Sequence, residues 1–160
     1  MTNNEYEMCE RQGEIFELAN DNFSCGSLLF VSRFMQSDLA RDMDDVESPY
    51  NYVSPNNAIN RLRYQYPSFI DNEGKKYPKA VMHWVGFIYR AYSIINKISS
   101  RMIYKYLKAD TLFGLYESFH TFSPEYCVER LTAIVSNIKG PQKSDYEIYK
   151  EIRLSSSWNK

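Results

Sequence analysis

Histidine and cysteine are scarce in this chain. It holds two histidines, His83 and His120, and three cysteines, Cys9, Cys25 and Cys127. A structural zinc site needs several thiolate or imidazole ligands at short, defined spacings, and none is present, so no metal site is expected. An odd number of scattered cysteines with no CxxC spacing reads as free thiols in a reducing compartment. The glycines Gly13, Gly26, Gly74, Gly86, Gly114 and Gly140 stand alone, without a GxGxxG or Walker pattern, which leaves no phosphate-cradling loop and no cofactor site to expect. Long apolar runs are missing too. The longest, 27–31 and 81–89, fall far short of the ~20 residues of a membrane-spanning helix. The N-terminus has neither a basic nor an apolar signal region. Together these absences predict a cytoplasmic protein that does not enter a membrane.

Glycine and proline, six each, are too few for a loop-rich or disordered chain. What the chain has in surplus is aromatic side chains: 16% of residues, with 14 tyrosines. Tyrosine joins a large apolar body to a polar tip, so the surplus fits either a core that reaches close to the surface or a partner-binding face. At 160 residues one domain is expected, burying roughly 70% of the surface its unfolded form exposes.

The net charge of −1 conceals a division. Residues 1–50 carry 11 acids and 3 bases, whereas residues 61–108 carry 10 bases and 2 acids. The acidic half either packs near the basic block, or the basic block keeps a face for an acidic partner; solvated helix faces are the plainer reading.

Apolar periodicity is helical throughout. A first helix is expected over residues 5–20, with Met8, Ile15, Phe16 and Leu18 between acids. A second, capped by Ser24 or Ser27, carries Leu28, Val31, Met35 and Leu39, flanked by Phe30 and Phe34, and ends near Asp44 and Asp45. Acids at that end oppose the helix dipole and call for basic neighbours. Ser54 and Pro55 read as an N-cap and first-turn proline of a third helix, 55–65. Residues 67–77 read as turn chemistry with a weak hairpin possible in principle. Residues 81–95 then place Val81, Trp84, Val85, Ile88, Tyr92 and Ile95 on one face and Met82, Gly86, Phe87, Ala91 and Ile94 on the other. A helix apolar over most of its circumference belongs at the centre of a domain. Ser99 or Ser100 caps a short helix to Leu107. Asp110 caps the next, with Leu112, Leu115, Tyr116 and Phe119 inward. Ser123 and Pro124 open a last core helix that stops at Gly140 and Pro141. The expectation is an all-α single domain, residues 1–140, of six or seven helices around 81–95. Residues 141–160 are expected to form a C-terminal helix or arm.

Candidate sites are few. His83 and Arg90 share a side of the central helix, as a polar stripe or as an acid/base with an orienting cation. His120 sits at a helix end, where an imidazole meets unpaired carbonyls. Cys127 falls on a core helix, which favours burial over reactivity. Gly86 and Gly114 lie inside helices, where close helix approach would account for them. The best surface is the short helix 99–107. Arg101, Lys105 and Lys108 form one basic edge, and Met102, Ile103, Tyr106 and Leu107 supply its apolar side. With the preceding helix and the turn 96–99 it has the outline of a helix-turn-helix.

Three stretches, WVGFIYRAY at 84–92, SSRMIYKYL at 99–107 and LYESFHTFSPEYCVERL at 115–131, resemble a group of small bacterial proteins of toxin-antitoxin-like cassettes, some beside ADP-ribosyltransferase-like toxins. The segment SRFMQSDLARDMD at 32–44 fits as well. The resemblance spans residues 28–131 and implies a small helical cytoplasmic protein, an antitoxin or adaptor that binds a cognate protein. It marks Trp84, Tyr89, Arg90, Tyr104, His120 and Thr121 as packing or binding positions and supplies no catalytic residue. The leading expectation is therefore a non-enzymatic binding component that uses Arg101, Tyr104, Lys105 and Lys108. A helix-turn-helix DNA-binding regulator is the first alternative, and a small toxin or enzyme using His83, Arg90 and His120 the second.

Overall fold

The computed structural model describes residues 1–67 and 74–139. Among these residues the chain is all-α: eight α-helices and one single-turn 3-10 helix, with no strand. The expected tail helix or arm and most of the 67–77 turn region lie outside the described residues.

The first helix, α1 (Asn3–Asn22), begins earlier than its apolar pattern suggests because Thr2 and Glu5 form a capping box. The Thr2 hydroxyl accepts from the Glu5 N–H, and the Glu5 carboxylate accepts from the Thr2 N–H. Two otherwise orphaned amides are satisfied in this way. Met8, Gln12, Ile15, Phe16 and Ala19 then form the buried stripe.

The single second helix expected from the sequence is two, α2 (Ser27–Met35) and α3 (Asp38–Met43). The Ser37 hydroxyl accepts from the Ala40 N–H and donates to the Phe34 carbonyl. It thus caps a new helix and ends the old one, which brings the helix number to eight. Within α2 the buried residues include Phe30, Val31, Phe34 and Met35. Phe30 and Phe34 are fully packed, whereas Leu28 is 47% exposed.

A 3-10 turn (Pro49–Tyr52) leads to α4 (Pro55–Gln65), whose bounds and Ser54 cap match expectation. The central helix is α5 (Lys79–Asn96), which packs on α1 most extensively and also on α6 (Ser100–Tyr106), α7 (Ala109–Phe119) and α8 (Pro124–Lys139). Gly86 sits at a close approach of α1 to α5. A Cβ there would sit 2.7 Å from both the Gln12 carbonyl oxygen and the Phe16 ring. No such approach explains Gly114, which faces open space. In α7, Lys108 rather than Asp110 occupies the N-cap position, with no side-chain bond, and Asp110 accepts from the Thr111 N–H. Phe113 is buried in that helix beside Leu112, while Leu115, Tyr116 and Phe119 are only partly covered.

Candidate functional site

The bases of residues 61–108 divide at the end of α5. Up to Arg90, three of the six pair with acids of the N-terminal half, while Lys75 lies over the Tyr77 ring. Arg61 pairs with Asp42 at 2.5 Å, Lys79 with Asp21 at 2.5 Å and Arg90 with Asp44 at 2.9 Å. Lys76 donates to the Asn20 and Phe23 carbonyls, and Arg63 to Asn22. The expected internal complementarity is real over this stretch. Among the described residues, no acid pairs with Lys97, Arg101, Lys105 or Lys108.

Arg90 is wholly buried. Its Nε donates to Gln12 Oε1 at 2.9 Å, and its Nη1 to the Met43 carbonyl and to Asp44 Oδ1, both at 2.9 Å. Nη2 reaches Ser100 Oγ at 3.4 Å. Ser100 in turn donates its N–H and hydroxyl to Asp44. One guanidinium thus ties α5 to α1, α3 and α6. Asp44, at the C-terminus of α3, finds here the cation and donors that its unfavourable place on the helix dipole requires. Burial pushes the Arg90 pKa down and Asp44 opposes that; an arginine stays cationic in either case.

His83 lies two turns before Arg90 and belongs to a different set. Its Nε2 is 3.2 Å from Glu10 Oε2, and its ring rests against Gly13, where a Cβ would come within 2.9 Å. His120 is the C-cap residue of α7, its Nδ1 2.8 Å from the Tyr116 carbonyl oxygen and its ring stacked on Tyr116. No hydrogen bond or ion pair joins any two of His83, Arg90 and His120 among the described residues. Each is satisfied separately. Cys127 is buried and its Sγ donates to the Phe119 carbonyl; burial raises its pKa, and that of Cys9 to about 12. These thiols are protonated at neutral pH and enclosed, the reverse of what an attacking thiolate needs. No group of three or more metal-ligating side chains occurs among the described residues.

What stands open is the outer face of α6. Left-handed Lys97 (φ 53°) closes α5, and the Ser99 hydroxyl accepts from the Met102 N–H to start α6. Ile103, Leu107 and Ser100 turn inward. Arg101, Met102 and Lys105 turn outward. With Gln36, Ser99, Tyr104 and Lys108 they line a groove of 380 Å³. Arg101 donates to the Gln36 carbonyl at 3.3 Å, and the Lys108 ammonium lies 4.5 Å from the Tyr104 ring centroid. A smaller hollow of 160 Å³ continues past Gln36 and Ser99 to Asp38 and Arg41. Arg33, over the Tyr66 ring at 5.7 Å, extends the basic character onto α2.

Arg101, Lys105 and Lys108, expected on one basic edge, line the same groove, whereas Tyr104 and Met102 differ from expectation. Tyr104 is only 9% exposed, so it forms a wall of the groove rather than a projecting contact, and Met102, expected on the packed side, is 46% exposed. At about 100° per residue Met102 lies equally far from Arg101 and Ile103 and closer to Lys105, so the helical wheel puts it at the border of the basic and apolar faces. Gln36, from the unforeseen break between α2 and α3, had no such signal.

No helix among the described residues is long and apolar enough to cross a membrane. No family model, no curated protein and no solved structure matches this chain.

Proposed function

We propose that this protein is a non-catalytic binding component whose working face is the groove on α6, and that it serves in the cytoplasm as the antitoxin or accessory partner of a toxin-antitoxin-like pair. The observation that carries the binding reading is the division of charge. Arg61, Lys79 and Arg90 are each paired with an acid of the N-terminal half, whereas Arg101, Lys105 and Lys108 converge on one open groove without an acid among the described residues. Unpaired charge around exposed apolar surface is what a partner's surface complements. The toxin-antitoxin setting rests on the resemblance of residues 28–131 alone.

Co-expression with the product of the adjacent gene tests the reading. A complex that is retained by the wild type and lost on changing Lys105→Glu and Lys108→Glu is expected, together with relief of any growth inhibition by the neighbour. Absence of both complex and rescue sinks it.

A helix-turn-helix DNA-binding regulator is a second reading, favoured by the left-handed Lys97 turn that sets α6 after α5. It requires DNA affinity that falls steeply with salt and whose salt slope flattens when Arg101, Lys105 and Lys108 are neutralised.

A further inference from the structure

The α6 groove is selective about the chemistry of what can fill it. Its apolar lining comes mainly from Met102, 46% exposed, with the small exposed part of Tyr104, 9%, beside it. Its rim is cationic, with Arg101 held at one end by the Gln36 carbonyl and Lys108 held at the other over the Tyr104 ring. Lys105 is exposed on the same helical edge. Cations framing an apolar floor are the complement of a chain segment that carries an apolar side chain between carboxylates: the apolar contact supplies affinity and the charges supply register.

A nucleic-acid backbone fits this surface less well. Seven residues of α6 give an edge of about 10 Å, short for a row of phosphate contacts. Beyond Lys108 stands the exposed Asp110, and at the other end Asp38 lines the adjoining hollow paired with Arg41 at 3.1 Å. Asp110 would repel phosphates that continued past its end of the groove.

We infer that the groove binds a short acidic segment of a partner protein, one apolar side chain resting on Met102 and its neighbouring carboxylates pairing with Arg101, Lys105 and Lys108. This rests on the reading of α6 as the working face.

The test presents the full chain to a display library of short random peptides, selected in parallel on the wild type and on the Lys105→Glu, Lys108→Glu variant. Both positions are exposed, and an unchanged melting temperature confirms the variant's fold. Enrichment on the wild type alone of peptides with carboxylates flanking Leu, Ile, Phe or Met is expected. A synthetic representative should bind the variant at least about tenfold more weakly, and should lose a similar factor when its apolar residue becomes Ala. Peptides that need the two lysines but carry no acids would overturn the acidic-segment inference and leave α6 as the binding face. A short DNA duplex that binds in a salt-dependent, lysine-dependent manner where no peptide does would overturn it in favour of nucleic acid. If neither peptide nor duplex distinguishes variant from wild type, both the inference and the reading beneath it fail.

Discussion

Arg90 and Arg101 carry the same guanidinium and meet opposite fates. Arg90 is enclosed, its donors spread over Gln12, Met43, Asp44 and Ser100. Arg101 lies on an open groove and, among the described residues, makes one hydrogen bond, to the Gln36 carbonyl. The difference shows where the basic block stops being structural. Until α5 ends, Arg61, Lys79 and Arg90 answer acids of the N-terminal half, and Arg63 and Lys76 bond Asn22 and carbonyls there; from the Lys97 turn onward, the bases face outward. A charge division visible as a simple sum over the sequence is therefore two things in the fold, a set of internal ties and an unpaired edge.

The largest effect should come from breaking the enclosed region. Arg90→Ala leaves Asp44 and Gln12 without their partner, and removing one member of a buried pair costs about 3–5 kcal/mol. Denaturant unfolding should show that loss in full. A loss below about 1 kcal/mol would mean that the Arg90 node does not hold the helices together. Next comes Gly86→Ala at the α1–α5 seam, where the added methyl meets Gln12 and Phe16 at 2.7 Å. Overpacking of this kind costs about 1–3 kcal/mol. The same change at Gly114, which faces open space, should instead raise stability by about 0.5–1 kcal/mol through helix propensity. Opposite signs for these two glycines would sharpen the boundary between packed and open surface.

Acid sensitivity gives a smaller contrast. The hydrogen bond from Arg61 holds the Asp42 carboxyl below its ordinary range. A pKa depressed in the folded state means the contribution is complete above the unfolded value of about 3.9 and is lost as pH falls through the folded one. Asp42→Asn should therefore flatten the fall in stability below about pH 4, with an effect at neutral pH of roughly 1 kcal/mol or less for so open a pair. Thermal melts across that range check it; an unchanged acid slope would show that this tie contributes nothing.

Most of the scaffold was legible in the sequence because apolar spacing and caps are local signals. Ser54–Pro55 opened α4 and the all-round apolar pattern marked α5 as the centre. The α2–α3 break was missed because Ser37 sits within a continuous apolar period, and a serine inside such a run signals a cap only through the Phe34 and Ala40 backbone it meets. Arg90 as a tie between four helices was equally out of reach. Its partners Gln12, Asp44 and Ser100 come from three distant segments, and no spacing connects them. The basic edge of α6 was legible because Arg101, Lys105 and Lys108 lie within two helical turns. The groove's second wall was not, since Gln36 comes from another helix.

The central claim is that the α6 edge binds while the Arg90 node supports. Dissociation constant and melting temperature, measured together for the co-expressed partner with wild type and with the Lys105→Glu, Lys108→Glu variant, test it most directly. Exposed charges away from packed features leave stability within about 0.5 kcal/mol, so the account predicts an unchanged Tm with affinity at least about tenfold weaker. An unchanged affinity, or a melting temperature that falls as it does for Arg90→Ala, would contradict it.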